Sequence, residues 1–150
     1  MKKLVSMIAA AWLAVPGLAQ AEQVRIQSMV PVDSAVANMT AAISAAGARV
    51  FTTVDFAKGS ASVGETLRPT TLIIFGSPKI GAGALQDGQT MGLYLPLKVL
   101  AYEDADGDVW LSYESPASAA AEHGIAPDHP AVKSMAKALA SVTAKANGGS

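Results

Sequence analysis

The segment from Leu67 to Gly124 constrains the fold most, because it reads as three strands joined by two very different turns. Thr70 to Phe75 is almost wholly apolar or β-branched, the pattern of a central strand buried on both sides. A glycine-rich corner follows, running Gly76-Ser77-Pro78-Lys79-Ile80-Gly81-Ala82-Gly83, with a short turn or helix from Ala82 to about Gln86. Leu95 to Glu103 is the next strand, with Leu97, Val99 and Ala101 facing one way and Leu100 and Tyr102 the other. Asp104 to Asp108 is turn chemistry, and Val109 to Tyr113 completes a hairpin.

The flanking segments supply the rest of the layer. Glu22 to Met29 reads as a strand that Pro31 ends. Asp33 or Ser34 is placed to cap a helix in which Val36, Met39, Ile43 and Ala46 recur at helical spacing, and Gly47 sits where a left-handed C-terminal cap belongs. Arg49 to Phe56 is a second strand, whereas Ala57 to Leu67 carries no clear pattern. Ser115 and Pro116 open a short helix that Gly124 ends. A final helix starts near Asp128 to Pro130 and buries Val132, Met135, Leu139 and Val142, leaving Asn147 to Ser150 as a disordered tail. The expected order is therefore β-α-β-β-β-β-α, an α+β fold with a mainly antiparallel sheet and two long helices packed on one face.

The N-terminus has the three parts of a secretory signal peptide: Lys2 and Lys3, an apolar run from Leu4 to Val15, and Ala19-Gln20-Ala21 before Glu22. Its apolar run is shorter than the roughly 20 residues that cross a bilayer. Residues 1–21 are read as a cleaved signal, 22–146 as one domain, and the compartment as the bacterial periplasm. Without Lys2 and Lys3, nine basic residues face 12 acidic ones, which leaves no basic patch for nucleic acid. The chain has no cysteine, so it has no disulfide, no thiol chemistry, no cysteine–zinc site and no lipoprotein anchor.

Several of these features fall together in one family. Arg68-Pro69 precedes the buried strand, Phe75-Gly76-Ser77-Pro78 turns out of it, Leu95-Pro96 opens the next, and Glu103-Asp104 with Gly107 leads to Trp110 and Tyr113. In these motifs the chain resembles the bacterial domain of unknown function 302 family, over essentially all of the mature sequence. The resemblance implies a small α+β domain, often dimeric, and leaves the activity open. It also matches a recurrent histidine to His123. Two positions depart from the family pattern: Phe56 stands where a histidine is usual, and Ser77 where an asparagine is.

Each candidate site has a plainer structural reading. The corner places backbone donors and Lys79 at the end of a strand, where Gly76, Ser77, Lys79, Gly81 and Gly83 could hold an anion or small carboxylate. It is not a phosphate-binding loop, since the Gly-Lys-Ser/Thr ending is missing and Pro78 lacks an N–H. A turn that re-aims the chain is the simpler role. Asp104, Asp106 and Asp108 do not form a calcium loop, because Gly107 falls fourth rather than sixth and Ser115 stands where a glutamate is needed. His123 and His129 are the only histidines, and neither forms an i, i+4 metal pair, so no metal site is assigned. His123 at a helix C-terminus reads as a cap. Ser77 lacks the flanking elbow of a serine nucleophile, and Ser134-x-x-Lys137 lacks its partner motifs.

The expected function is an exported non-catalytic module that binds a small ligand or an envelope protein partner, needs no cofactor, and self-associates as a homodimer. The rival is a small hydrolase or metal-dependent enzyme using His123 with Asp55 or Glu103. That rival requires His123 within hydrogen-bond reach of a carboxylate inside a concave pocket.

Overall fold

The computed structural model describes residues 22–147, and the expected signal peptide lies outside them. The strands are β1 (Gln23–Ser28), β2 (Arg49–Asp55), β3 (Thr70–Gly76), β4 (Leu97–Glu103) and β5 (Val109–Glu114). The helices are α1 (Val32–Ala45), α2 (Phe56–Ala61), α3 (Pro78–Asp87), α4 (Pro116–Glu122) and α5 (Pro130–Lys145), with a 3₁₀ turn over Gln89–Leu93. All five strands form one antiparallel sheet in the order β1-β5-β4-β3-β2. The α+β class, the order of the strands and the two long helices, α1 and α5, agree with the sequence reading. One helix is additional, α2 in the unpatterned stretch, and the helix expected from Ala82 starts earlier, so that Pro78 to Gly83 of the glycine-rich corner form the first part of α3.

One face of the sheet is closed and the other is not. Ile73 pairs with Val99, Phe75 with Leu97 and Ala101 with Leu111; all six are buried together with Met39 and Ile43 of α1 and Met135 and Leu139 of α5. The opposite face carries Leu72 beside Leu100, Thr70 beside Tyr102, and Tyr102 beside Trp110, all half-buried. This corrects the expectation that β3 is buried on both sides. A run of apolar residues without alternation suits double burial, but the long helices α1 and α5 cover one side only, so Ile73 is in the core and Ile74 is not.

Local chemistry sets the element ends. Gly47, at φ +70°, lets the chain leave α1, with its N–H donating to Ser44 and that of Ala48 to Ile43. The expected capping by Asp33 or Ser34 does not occur: α1 starts at Val32 behind Pro31, without a side-chain cap, and Asp33 lies in the first turn. At the β4–β5 hairpin, Asp104 Oδ1 accepts from the N–H groups of Asp106 and Asp108, each at 3.0 Å, and Oδ2 from Trp110 Nε1 at 2.7 Å. The Trp110 indole donor, helped by those backbone donors and by Arg25, holds the Asp104 carboxyl below the usual carboxylate range. The hairpin is thus closed by its own hydrogen bonds. Asn147, expected to begin a tail, is anchored by accepting from Met29 N at 2.7 Å and Ser28 Oγ at 3.1 Å.

Candidate functional site

A concavity lies where β3 hands over to α3, at the end of the sheet. Its volume is about 410 Å³. Pro78, Ile80, Gly81, Ala82 and Leu85 of α3 form one wall. Gly92, Leu95, Pro96 and Leu97 form another, along the path from the 3₁₀ turn into β4. Gly76, Ser77 and Phe51 complete it.

Phe51 reaches this place through a break in the β2–β3 register. Val50 pairs with Phe75 and Thr52 with Ile74, so Phe51 is an extra residue on β2. Such bulges re-aim a side chain, and here the ring lies over Gly76, where an added Cβ would sit 3.4 Å from Phe51 Cε2 and 3.7 Å from Pro96 Cβ. The bulge also interrupts the exposed edge of the sheet, which discourages pairing with another strand. Gly81 and Gly92 work in the same way: a Cβ on Gly81 would stand 3.1 Å from Leu95 Cδ1, and one on Gly92 3.6 Å from Leu85 Cδ2. Three glycines in otherwise apolar walls therefore keep open a space that side chains would fill.

Helix α3, which carries one wall, is fixed at its far end. His129 Nδ1 accepts from Ala131 N at 3.1 Å, and Nε2 lies 3.0 Å from Asp87 Oδ2, tying the start of α5 to the last residue of α3. Gly83 makes this close approach possible, since a Cβ there would meet Ala131 Cβ and His129 Cε1 at 3.7 Å. The segment before β4 is held from behind. Tyr94 donates its hydroxyl to the Glu114 carbonyl at 2.9 Å, and the Lys98 ammonium donates to the carbonyls of Tyr94 and of Pro96. Burial pushes the Tyr94 hydroxyl far above the phenol range, with Glu114 and Tyr113 adding to it, and burial lowers Lys98 against the opposing pull of Glu114.

The residues singled out from the sequence divide. Gly76, Ser77 and Gly81 line the cavity, while Lys79 is exposed in the first turn of α3 outside the lining, and Gly83 faces α5. In the corner the N–H groups of Ile80 and Gly81 both donate to the Ser77 carbonyl, at 2.9 and 3.4 Å, and the residues that line the recess are mostly apolar. Asp55 caps α2, accepting from Lys58 N at 2.8 Å. Glu103 borders a second, smaller hollow of about 280 Å³, whose lining does not include His123. His123 follows α4 as its C-cap, and its carbonyl oxygen lies 3.1 Å from where a Cβ would stand on Gly88, between α3 and the 3₁₀ turn. Asp55 and Glu103 both stand toward the end of the sheet away from the recess, where β4 ends and Asp55 pairs with Thr71. No group of three or more histidine, aspartate or glutamate side chains placed to hold a metal occurs among the described residues.

Phe51, Leu95, Pro96 and Leu97 were not singled out as site residues from the sequence. The available signal was the recurrence of glycine at 76, 81 and 92 within apolar segments; the bulge that brings Phe51 across leaves no trace in the sequence.

The arrangement defines a class: a small α+β domain with a glycine-walled apolar recess at one end of an antiparallel sheet. Residues 23–145 match the family described as Domain of unknown function DUF302, and the chain belongs to that family. The fold matches the crystal structure of an uncharacterized conserved DUF302 protein from Bacillus stearothermophilus with a TM-score of 0.70, over 82% of this chain and 96% of that one, at 14% identity. Two similar proteins are named fluoride-specific ion channel FluC 1, from Brucella suis biovar 1 (strain 1330) and Brucella abortus biovar 1 (strain 9-941). Each is 39% identical over 127 residues. The match takes in 83% of this chain, which spans about half the length of those relatives, 50% and 47% respectively. No helix among the described residues of this chain is long and apolar enough to cross a membrane.

Proposed function

We propose that this protein is an exported, non-catalytic binding module that takes a small apolar ligand into the recess between α3, the β4 approach and Phe51. The carrying observation is an open volume of about 410 Å³ with three glycines and almost only carbon in its walls. Sites for small molecules have this size and composition. Core residues of this chain close on one another; these do not.

Blocking the recess tests the reading. Ala82 lines it from an exposed position on α3, so Ala82→Phe adds a ring to the opening without entering the core. Titration calorimetry with 1-decanol is expected to give binding to the wild type and at least a tenfold loss in Ala82→Phe, with the melting temperature unchanged. Equal binding by both proteins would move the ligand elsewhere.

Export belongs to the same reading, supported by the tripartite N-terminus. Intact-mass analysis of a periplasmic fraction is expected to give a protein starting at Glu22, and retention of Met1 there would contradict export. Self-association has one supporting observation, the half-buried apolar face of Leu72, Ile74 and Leu100, bordered by Val54 and Phe56 at 36% and 42% exposure. Sedimentation should show a dimer that Leu100→Asp dissociates.

A further inference from the structure

None of the residues that line the recess is charged, but two cations adjoin the lining segments in the chain. By register Arg49 stands directly opposite Gly76, which lines the recess, and its guanidinium lies 5.9 Å from the ring of Phe51, another lining residue. Among the described residues Arg49 enters no ion pair. Lys79 lies exposed one residue after Pro78, at the start of the α3 wall. The segments that build the walls, residues 49–51, 76–85 and 92–97, hold these two cations and no aspartate or glutamate, although the whole chain has a net charge of −1. The nearest acid on α3, Asp87, is committed to His129 on the side of α5.

Resting on the reading of the recess as the ligand site, we infer that its ligand is an anionic amphiphile: an aliphatic or ring body lies in the recess, and a carboxylate-like head at the mouth meets Arg49, with Lys79 adding to the field. An apolar body alone would leave the pairing of two cations with an acid-free rim without a use. A head group without a body would have nothing to fill the glycine-walled space. The combination selects against neutral apolar molecules of the same length and against small anions such as acetate. Guanidinium suits this head because it presents paired donors to a planar carboxylate.

Decanoate and 1-decanol, both below their aggregation limits, separate the body from the head. Wild-type protein is expected to bind decanoate more tightly than decanol, and only decanoate binding should weaken as salt is raised, since an exposed charge contact is screened. Arg49→Gln should weaken decanoate about fivefold, the upper worth of an exposed ion pair, and leave decanol unchanged. Lys79→Gln, on a different element, should act in the same direction and guards against a folding defect in the first variant. Equal affinity for the two ligands in the wild type, or equal losses for both in Arg49→Gln and Lys79→Gln, would overturn the anionic head while leaving the apolar recess intact. Binding of neither ligand would overturn the recess reading itself, and the amphiphile with it.

Discussion

Two apolar regions of this molecule differ in whether they are filled. Under α1 and α5, side chains from the sheet and from the helices meet until nothing is left open: Ile73, Val99, Met39 and Leu139 are each fully buried. At the α3 end of the sheet, comparable residues stop short of one another, because glycines at 76, 81 and 92 supply no side chain and a bulge holds Phe51 out at 52% exposure. The first region stabilises the fold. The second is made of the same chemistry with the last layer of atoms missing, and a ligand can supply that layer.

Substitutions separate the two. The largest effect is expected in the core: Ile73→Ala removes a fully buried side chain and should cost about 2 to 5 kcal/mol, a large part of the stability of an ordinary domain. Ile74, its neighbour on the open face, is only half-buried, so Ile74→Ala should cost about 1 kcal/mol or somewhat more. Equal losses measured by urea denaturation would mean that the open face is covered in solution.

The hairpin gives an effect that depends on pH. Asp104 has a carboxyl pKa lowered in the folded state by Trp110 and the turn N–H groups. Its contribution is therefore fully present above the unfolded value of 3.8 and is lost as pH falls through the lower folded value. Acid titration of the melting temperature should show a steeper drop for wild type than for Asp104→Asn below pH 3.8. Parallel curves would show that the indole bond does not tune this group.

The smallest expected change is at the rim. Lys79→Ala should alter stability by less than about half a kcal/mol, since the side chain is exposed on the first turn of α3. A larger loss would tie Lys79 into the fold and remove it from the mouth of the recess.

Much of the fold was legible in the sequence, and the open recess was not, for specific reasons. The strands from Thr70 to Tyr113 announce themselves because β-branched runs, a Leu-Pro entry and an aspartate–glycine turn are local signals. The α5 pattern of Val132, Met135 and Leu139 is local too. That Ile74 faces outward was not legible, since nothing within β3 records how many helices lie on each side of it. Gly76, Ser77 and Gly81 were found as a corner, but their apolar use was not, because the walls opposite them come from Phe51 and Leu95, distant in sequence. Gly83 was read as part of the same corner, yet its missing side chain serves the approach of α5.

A small molecule is expected to bind in the glycine-walled recess rather than on the open sheet face. Backbone amide NMR during a titration with 1-decanol reads both regions in one experiment. Concentration-dependent shifts are expected at Gly76, Ser77, Gly81 and Gly92, with Leu72, Leu100 and Trp110 unmoved. Shifts confined to Leu72, Leu100 and Trp110, with the four recess residues still, would contradict it.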